Sequence, residues 1–390
     1  MTNVRIKSFF SWLFRHPSAY LWVLPGLAAW FGQRFLAAYP DLVERLHTQG
    51  LFRWLSAPLG FMTSLAPFSL TEAALIAGLP VVLVLFIFWL VRLIRRPGKM
   101  VRVGRLLRGL AWTVSLAYLL FMLLHGLNYD RLPVAVSFGL PAKERSAAEL
   151  EGTAGWLAEQ TSILRLSVSE DEQGVYRLSA DLTDTLKSAS AGYDAASRFY
   201  PLMAGAKIRP KGVLLSHYWS YTGITGLYMP LLVESNINID APPYSLPDTI
   251  LHEIAHTRGF AREDEAGFIA FLAGISHPDA DFAYSVLLDT TVRSLNALYG
   301  ADKDAYNRVA ALLDAGVWRD LTSGNAYWKQ FEGPVQEKST QVNNSYLQAN
   351  LQDDGVQSYG RMVDLVLAWY ESQVQKQTLD TSITVLSGRG

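Results

Sequence analysis

Long apolar runs crowd the first third of the chain, and shorter apolar–polar alternations of helical and strand period fill the rest. Residues 73–91 form an uncharged, mostly apolar run, residues 110–127 a second, and residues 20–35 a shorter one broken by Pro25 and Gly26. A helix crossing a bilayer needs roughly 20 apolar residues, so three transmembrane helices are expected, at about 20–35, 73–91 and 110–127. Residues 51–70 are also apolar, but Arg53, Pro58, Pro67 and several hydroxyl residues suit a segment at the membrane interface better than a fourth crossing.

Charge sets the orientation. Arg92, Arg95, Arg96, Lys99, Arg102, Arg105 and Arg108 separate the last two runs without an acidic residue, and the N-terminus carries Arg5, Lys7 and Arg15 without one either. Positive loops stay in the cytoplasm, so both read as cytoplasmic, residues 41–72 as an outer loop, and everything after about residue 128 as extracytoplasmic. The division expected is a membrane anchor at 1–127, one soluble domain at 128–374 and a polar tail at 375–390. With a net charge of −1, nothing suggests a nucleic-acid partner, and the basic run reads as a topology signal beside lipid. The absence of cysteine excludes disulfides, thiolate metal sites and cysteine nucleophiles.

Within the domain the pattern predicts helices at 142–162 and 181–200, short strands at 211–216 and 226–239, and a helix at 245–258, an α+β arrangement that is mainly helical with a small sheet. Residues 227–236 are the candidate edge strand, since Pro230 is tolerated only at an edge or bulge. Residues 346–370 have a helical period that closes the core.

The chemistry concentrates in His252-Glu253-Ile254-Ala255-His256. Residues four apart share one helix face, so both imidazoles can reach one metal while Glu253 stands beside it as a general base. Zinc in such a site takes three protein ligands and keeps an open position. Pro247 marks the first helical turn, and Gly259 is a left-handed stop that folds the chain back into a second helix starting within residues 260–266. Arg262 stands where the metzincin pattern places its third ligand and cannot bind a cation, which leaves Glu263 or Glu265; two apart on a helix, only one can face the metal. Tyr228, Tyr284 and Tyr359 are candidate donors to a developing oxyanion. His217 and His277 read as structural imidazoles.

The string Glu263-Asp264-Glu265-Ala266-Gly267 resembles the ExxA(D/N) helix of glu-zincins, in which the leading glutamate binds zinc. That resemblance implies Glu263 as third ligand. Gly267 departs from the Asp or Asn of those families, so the hydrogen bond usually made from there to a ligand histidine must come from elsewhere, with Asp248 and Asp264 the candidates. Over nearly its whole length the chain resembles a bacterial family catalogued as domain of unknown function 3810, whose members look like membrane-anchored zincin proteases. The likeness rests on the N-terminal spans, the run Lys211-Gly212-Val213-Leu214-Leu215-Ser216, residues 226–238, the block beginning at His252, and Tyr346-Leu347-Gln348-Ala349-Asn350.

The expectation is an integral zinc metallopeptidase of the bacterial cell membrane, with His252, His256 and Glu263 holding Zn2+ and Glu253 as base. Its partners would be the lipid bilayer and a peptide or protein substrate from the membrane, envelope or cell wall. The alternative is a non-enzymatic membrane sensor or scaffold that keeps a zinc-binding fold; an intact Glu253 discriminates, because a structural zinc helix has no use for it.

Overall fold

The computed structural model describes residues 21–350 and 361–375, apart from Ala142 and Glu144. Among these, two helices are long and apolar enough to cross a membrane, Leu70–Arg95 and Lys99–Leu124. The third expected span is corrected. Its described part is a helix of 13 residues, α1 (Leu24–Leu36), with Pro25 in its first turn. Proline fits a helix start, and 13 residues rise only about 20 Å against a hydrocarbon core of about 30 Å. α1 packs on Lys99–Leu124, with Gly26 N donating to Ser115 Oγ at 2.7 Å.

Residues 41–72 are not a plain outer loop. A π-helical stretch, Val43–Phe52, runs into α2 (Arg53–Ser64), and this arm packs on the later part of the chain. Arg131 and Glu44 form an ion pair at 2.8 Å, with both side chains buried. Thr48 Oγ1 donates to Asn128 Oδ1 at 2.9 Å, and Arg53 Nη2 donates to Leu202 O at 3.0 Å. These partners lie on either side of the expected boundary at residue 127 and are 80 or more residues apart, so no local pattern announces them. Ser69 then caps α3 (Leu70–Arg95) by accepting from Glu72 N, and a left-handed Gly98 turns the chain into α4 (Lys99–Leu124).

After α4 the chain is mostly helical. α5 is Ala147–Arg165, opened by a capping box in which Ser146 and Glu149 satisfy each other's backbone amides. The predicted helix at 181–200 is two short ones, Leu182–Ser188 and Ser190–Ala196. The predicted strand at 226–239 is a hairpin, β2 (Gly226–Met229) and β3 (Glu234–Ile237), antiparallel in the register Gly226↔Ile237 to Met229↔Glu234. Pro230 sits in its turn rather than in a strand, and Val233 closes that turn at φ 49°. The first predicted strand shortens to β1 (Lys211–Gly212), parallel to β3, so the sheet order is β1-β3-β2 with β2 at an edge.

Two helices carry the core behind this sheet, α6 (Leu246–Thr257) and α7 (Glu263–Ile275). Ile250, Leu251, Ile254 and Ala255 of α6 pack with Phe268, Ile269, Phe271 and Leu272 of α7, all fully or almost fully buried. α8 (Ala280–Ala301) lies against α5 in a second core. The predicted helical stretch 346–370 joins the end of α9 (Pro334–Ala349) to α10 (Arg361–Gln375). Residues 351–360 between them, Tyr359 included, lie outside the described residues, as do 376–390 of the tail. Gly267 is where α10 comes close: a β-carbon there would stand 3.3 Å from Met362 Cγ.

Candidate metal centre

α6 starts at Leu246 with Pro247 in its first turn and ends at Thr257, and Gly259 just beyond it takes the left-handed φ of 87° that the sequence expected. Phe260 N donates back to Ala255 O at 3.2 Å, and the chain reverses into α7. The turn has no room for a side chain, because a β-carbon at Gly259 would meet Thr48 and Phe52 of the N-terminal arm at 3.1 Å. The arm thus braces the reversal that brings Glu263 to the histidines.

His252 Nε2 lies 2.9 Å from Glu263 Oε2, and His256 Nε2 lies 3.7 Å from Glu263 Oε1. One ligand atom from each of the three residues falls within 4.8 Å of the others. Tetrahedral zinc with ligands at ~2.0–2.1 Å keeps those ligands about 3.3 Å apart, so the arrangement fits such an ion. His256 Nδ1 is 2.8 Å from Phe260 O, and with that nitrogen donating to the carbonyl, Nε2 is left as an acceptor on the side of Glu263. Charge is shared within the cluster. Burial alone would lower His252, but the hydrogen bond and charge of Glu263 outweigh it and carry the imidazole up to about 9. Burial holds His256 down near 4.

Glu265 points elsewhere. Its Oε1 accepts from Val134 N and from Arg262 Nη1, each at 2.8 Å, and Arg262 also donates to Tyr129 O and Arg131 O. Both residues tie α7 to the chain that follows α4. Of the two second-sphere candidates, Asp264 pairs with Arg361 at 3.1 Å, whereas Asp248 acts on His252 through its charge; burial pushes Asp248 up to about 7.

Glu253 is buried on the same helix beside the cluster, and its Oε2 has no hydrogen-bond partner among the described residues. Burial pushes its carboxyl up to about 8, with His252 opposing and Glu263 adding to the rise. Gly226, the first residue of edge strand β2, lies on it: a β-carbon there would fall 2.4 Å from Glu253 Oε1. Ser235 Oγ of β3 donates to the Glu253 carbonyl at 3.0 Å, so both strands of the hairpin locate this residue.

A family model described as "Protein of unknown function (DUF3810)" matches residues 47–367. The chain belongs to the DUF3810 family. The family match begins inside the π-helical arm and takes in α3, α4 and the whole cluster, as the packing does. No curated protein and no solved structure matches the chain.

Of the tyrosines expected near the cluster in this DUF3810 chain, Tyr284 is not there. It is buried in the second core and donates to Asp320, so it is withdrawn as an oxyanion donor; no spacing rule had selected among the three tyrosines. Tyr228 stacks beside His256 with ring centroids 6.0 Å apart, and its hydroxyl points to Leu124 O at 3.4 Å. His217 pairs with Asp240 at 3.0 Å and His277 with Ser188 O at 3.1 Å, both remote structural imidazoles as expected.

Two residues at the cluster escaped sequence reasoning. His125, the residue that follows α4, is buried with its ring 5.8 Å from that of His256 and 5.3 Å from that of Tyr228. Its signal was available, because an ionisable side chain closing an apolar run marks a functional position by default. Tyr346 of α9 packs edge-on against Phe121 at 6.5 Å, and its hydroxyl is pushed up to about 12 by burial, with Glu263 adding to the rise. It belongs to the Tyr-Leu-Gln-Ala-Asn run already singled out, which no spacing rule connected to His252.

Proposed function

We propose that the protein is an integral membrane zinc metallopeptidase, with His252, His256 and Glu263 as zinc ligands and Glu253 as general base. The observation that carries this is the convergence of the three ligand groups from two helices beside a buried carboxyl with an unpartnered oxygen. Zinc, when bound, supplies a Lewis acid that polarises a carbonyl and lowers the pKa of water. Glu253 takes the proton of the attacking water and delivers it to the leaving amine, the double role of a single carboxylate beside the reacting carbonyl. Strand β2, at the sheet edge and beginning at Gly226 beside Glu253, offers an extended peptide a backbone to pair with.

The placement we propose is the bacterial cell membrane, with the cluster outside. α3 leaves the sheet and α4 returns to it, so Arg92, Arg95, Arg96 and Lys99 lie at the far end of that hairpin from the cluster. A cytoplasmic position for those bases puts the cluster on the outer side, next to membrane, envelope or cell-wall polypeptides. The test is zinc content by elemental analysis together with cleavage of a peptide library by the detergent-solubilised protein. About one zinc per chain and cleavage that Glu253→Gln abolishes while keeping the metal support the reading; zinc-loaded wild type that cleaves nothing favours the sensor or scaffold.

A further inference from the structure

The arm that precedes α3 carries its apolar residues on the outside. Leu51, Trp54, Phe61, Met62 and Leu65 are 41, 74, 63, 66 and 71% exposed, while Phe52, Ser56, Gly60 and Thr63 are buried. Steps of three, four and seven put the exposed set on one helix face, and that face carries no charge. A helix on a water-facing surface is built the other way round. The inner face is pressed close to the sheet: a β-carbon at Gly60 would fall 2.4 Å from Ile208 Cδ1 and 3.3 Å from Val233 Cγ1.

Its surroundings say what covers it. Just after α2 ends at Ser64, Ser69 Oγ donates to Asn236 Oδ1 at 2.6 Å; Thr71 N donates to Glu234 Oε2 at 2.7 Å, and Leu215 N donates to Glu72 Oε1 at 2.7 Å. The start of α3 is thereby locked to the sheet, and the last residue of α4, Leu124, accepts from Tyr228 of the same sheet. The apolar stretch of α3 is wholly unburied within the fold. A bilayer that receives α3 and α4 must have its surface where those two ends meet the sheet, which is where α2 turns its stripe outward.

We propose that α2 lies in the plane of the membrane–water interface, its stripe sunk about 5–10 Å into the headgroup–acyl boundary, and that it seats the sheet and α6 at a fixed height above the bilayer. The occupant of the stripe is lipid. This rests on the membrane placement and not on the zinc chemistry, so its test involves no activity.

Because the chain has no cysteine, single substitutions Trp54→Cys, Phe61→Cys and Leu65→Cys each take one nitroxide label on the full-length protein. In phosphatidylcholine bilayers the three labels should collide more often with dissolved oxygen than with a water-soluble nickel chelate. A label at Leu312→Cys, an exposed position beside the second core, should show the reverse preference. Nickel access at the three stripe positions equal to that at 312 overturns the proposal. So does spin–spin broadening at the stripe that fades on dilution with lipid, since a second copy would then be the cover. Three positions are labelled so that one misfolded variant leaves the other two to decide.

Discussion

A β-carbon on Gly226 would stand 2.4 Å from Glu253 Oε1, so the edge strand and the buried carboxyl fit together only because residue 226 has no side chain. Gly226→Ala is therefore expected to push Glu253 out of place while leaving both histidines and Glu263 untouched. A catalytic group displaced by about 1 Å costs on the order of 100-fold in rate. Zinc content should stay at the wild-type level while peptide cleavage falls; equal loss of both would show that the glycine serves the helix rather than the carboxyl.

The two glutamates of α7 separate cleanly. Glu263→Ala and His256→Ala should lose bound zinc. Glu265→Ala should keep it but leave Arg262 and Val134 N without their buried partner, at a cost of about 3 kcal/mol. Zinc retention and the melting temperature of the four proteins, Glu253→Gln included, distinguish ligand from strut. A Glu265→Ala protein that is stable yet metal-free would transfer the ligand role.

Gly259 combines a left-handed φ with close neighbours at Thr48 and Phe52. Gly259→Ala should destabilise the protein by about 1–3 kcal/mol and weaken zinc binding, because the strained turn sets where Glu263 falls. Restoring room with Gly259→Ala plus Phe52→Leu should recover only the packing part, read as a partial return of the melting temperature.

Lys211 and Glu234 form a buried ion pair at 2.5 Å, with Lys211 Nζ also donating to Thr63 O and Glu234 accepting from Leu70 N and Thr71. Burial alone would raise Glu234, but Lys211, Thr71 and Leu70 outweigh it and hold the carboxyl below the usual glutamate range. A depressed folded-state pKa means that its stabilisation is present above the unfolded value and is lost as pH falls through the folded one. The melting temperature of the wild type should thus drop on acidification below the ordinary glutamate pKa of about 4.3, and Glu234→Gln should flatten that slope. Lys211→Met, which strands a buried carboxylate, should cost about 3–5 kcal/mol at neutral pH.

Orientation is checked by a reporter active only outside the cytoplasm, fused after Gly390. It should be active, and protease added to spheroplasts should reach the domain. A fusion that reports only from the cytoplasm would place the cluster inside the cell and remove envelope substrates from consideration.

The sequence by itself determined what depends on neighbours along the chain. The spacing of His252, Glu253 and His256 needs only one helix turn, the stop at Gly259 needs only the absence of a β-carbon, and the apolar runs of α3 and α4 are legible because a bilayer demands length and composition alone. It stated two possible carboxylates, and local periodicity could not choose between them. What the tertiary structure decided is which of them faces the histidines: Arg262 and Val134 N hold Glu265 away, and Arg262 is itself anchored on Tyr129 O, with Val134 and Tyr129 each more than 100 residues earlier in the chain than their partners. Residues 20–35 misled because apolar composition does not reveal that Pro25 begins a new helix. The arm at 43–64 read as part of an outer loop because its inward polar contacts, Glu44 to Arg131 and Thr48 to Asn128, are made with residues no window includes. His125 and Gly226 reach the cluster the same way, from the end of one helix and the edge of a sheet, and such convergence exists only once the chain is folded.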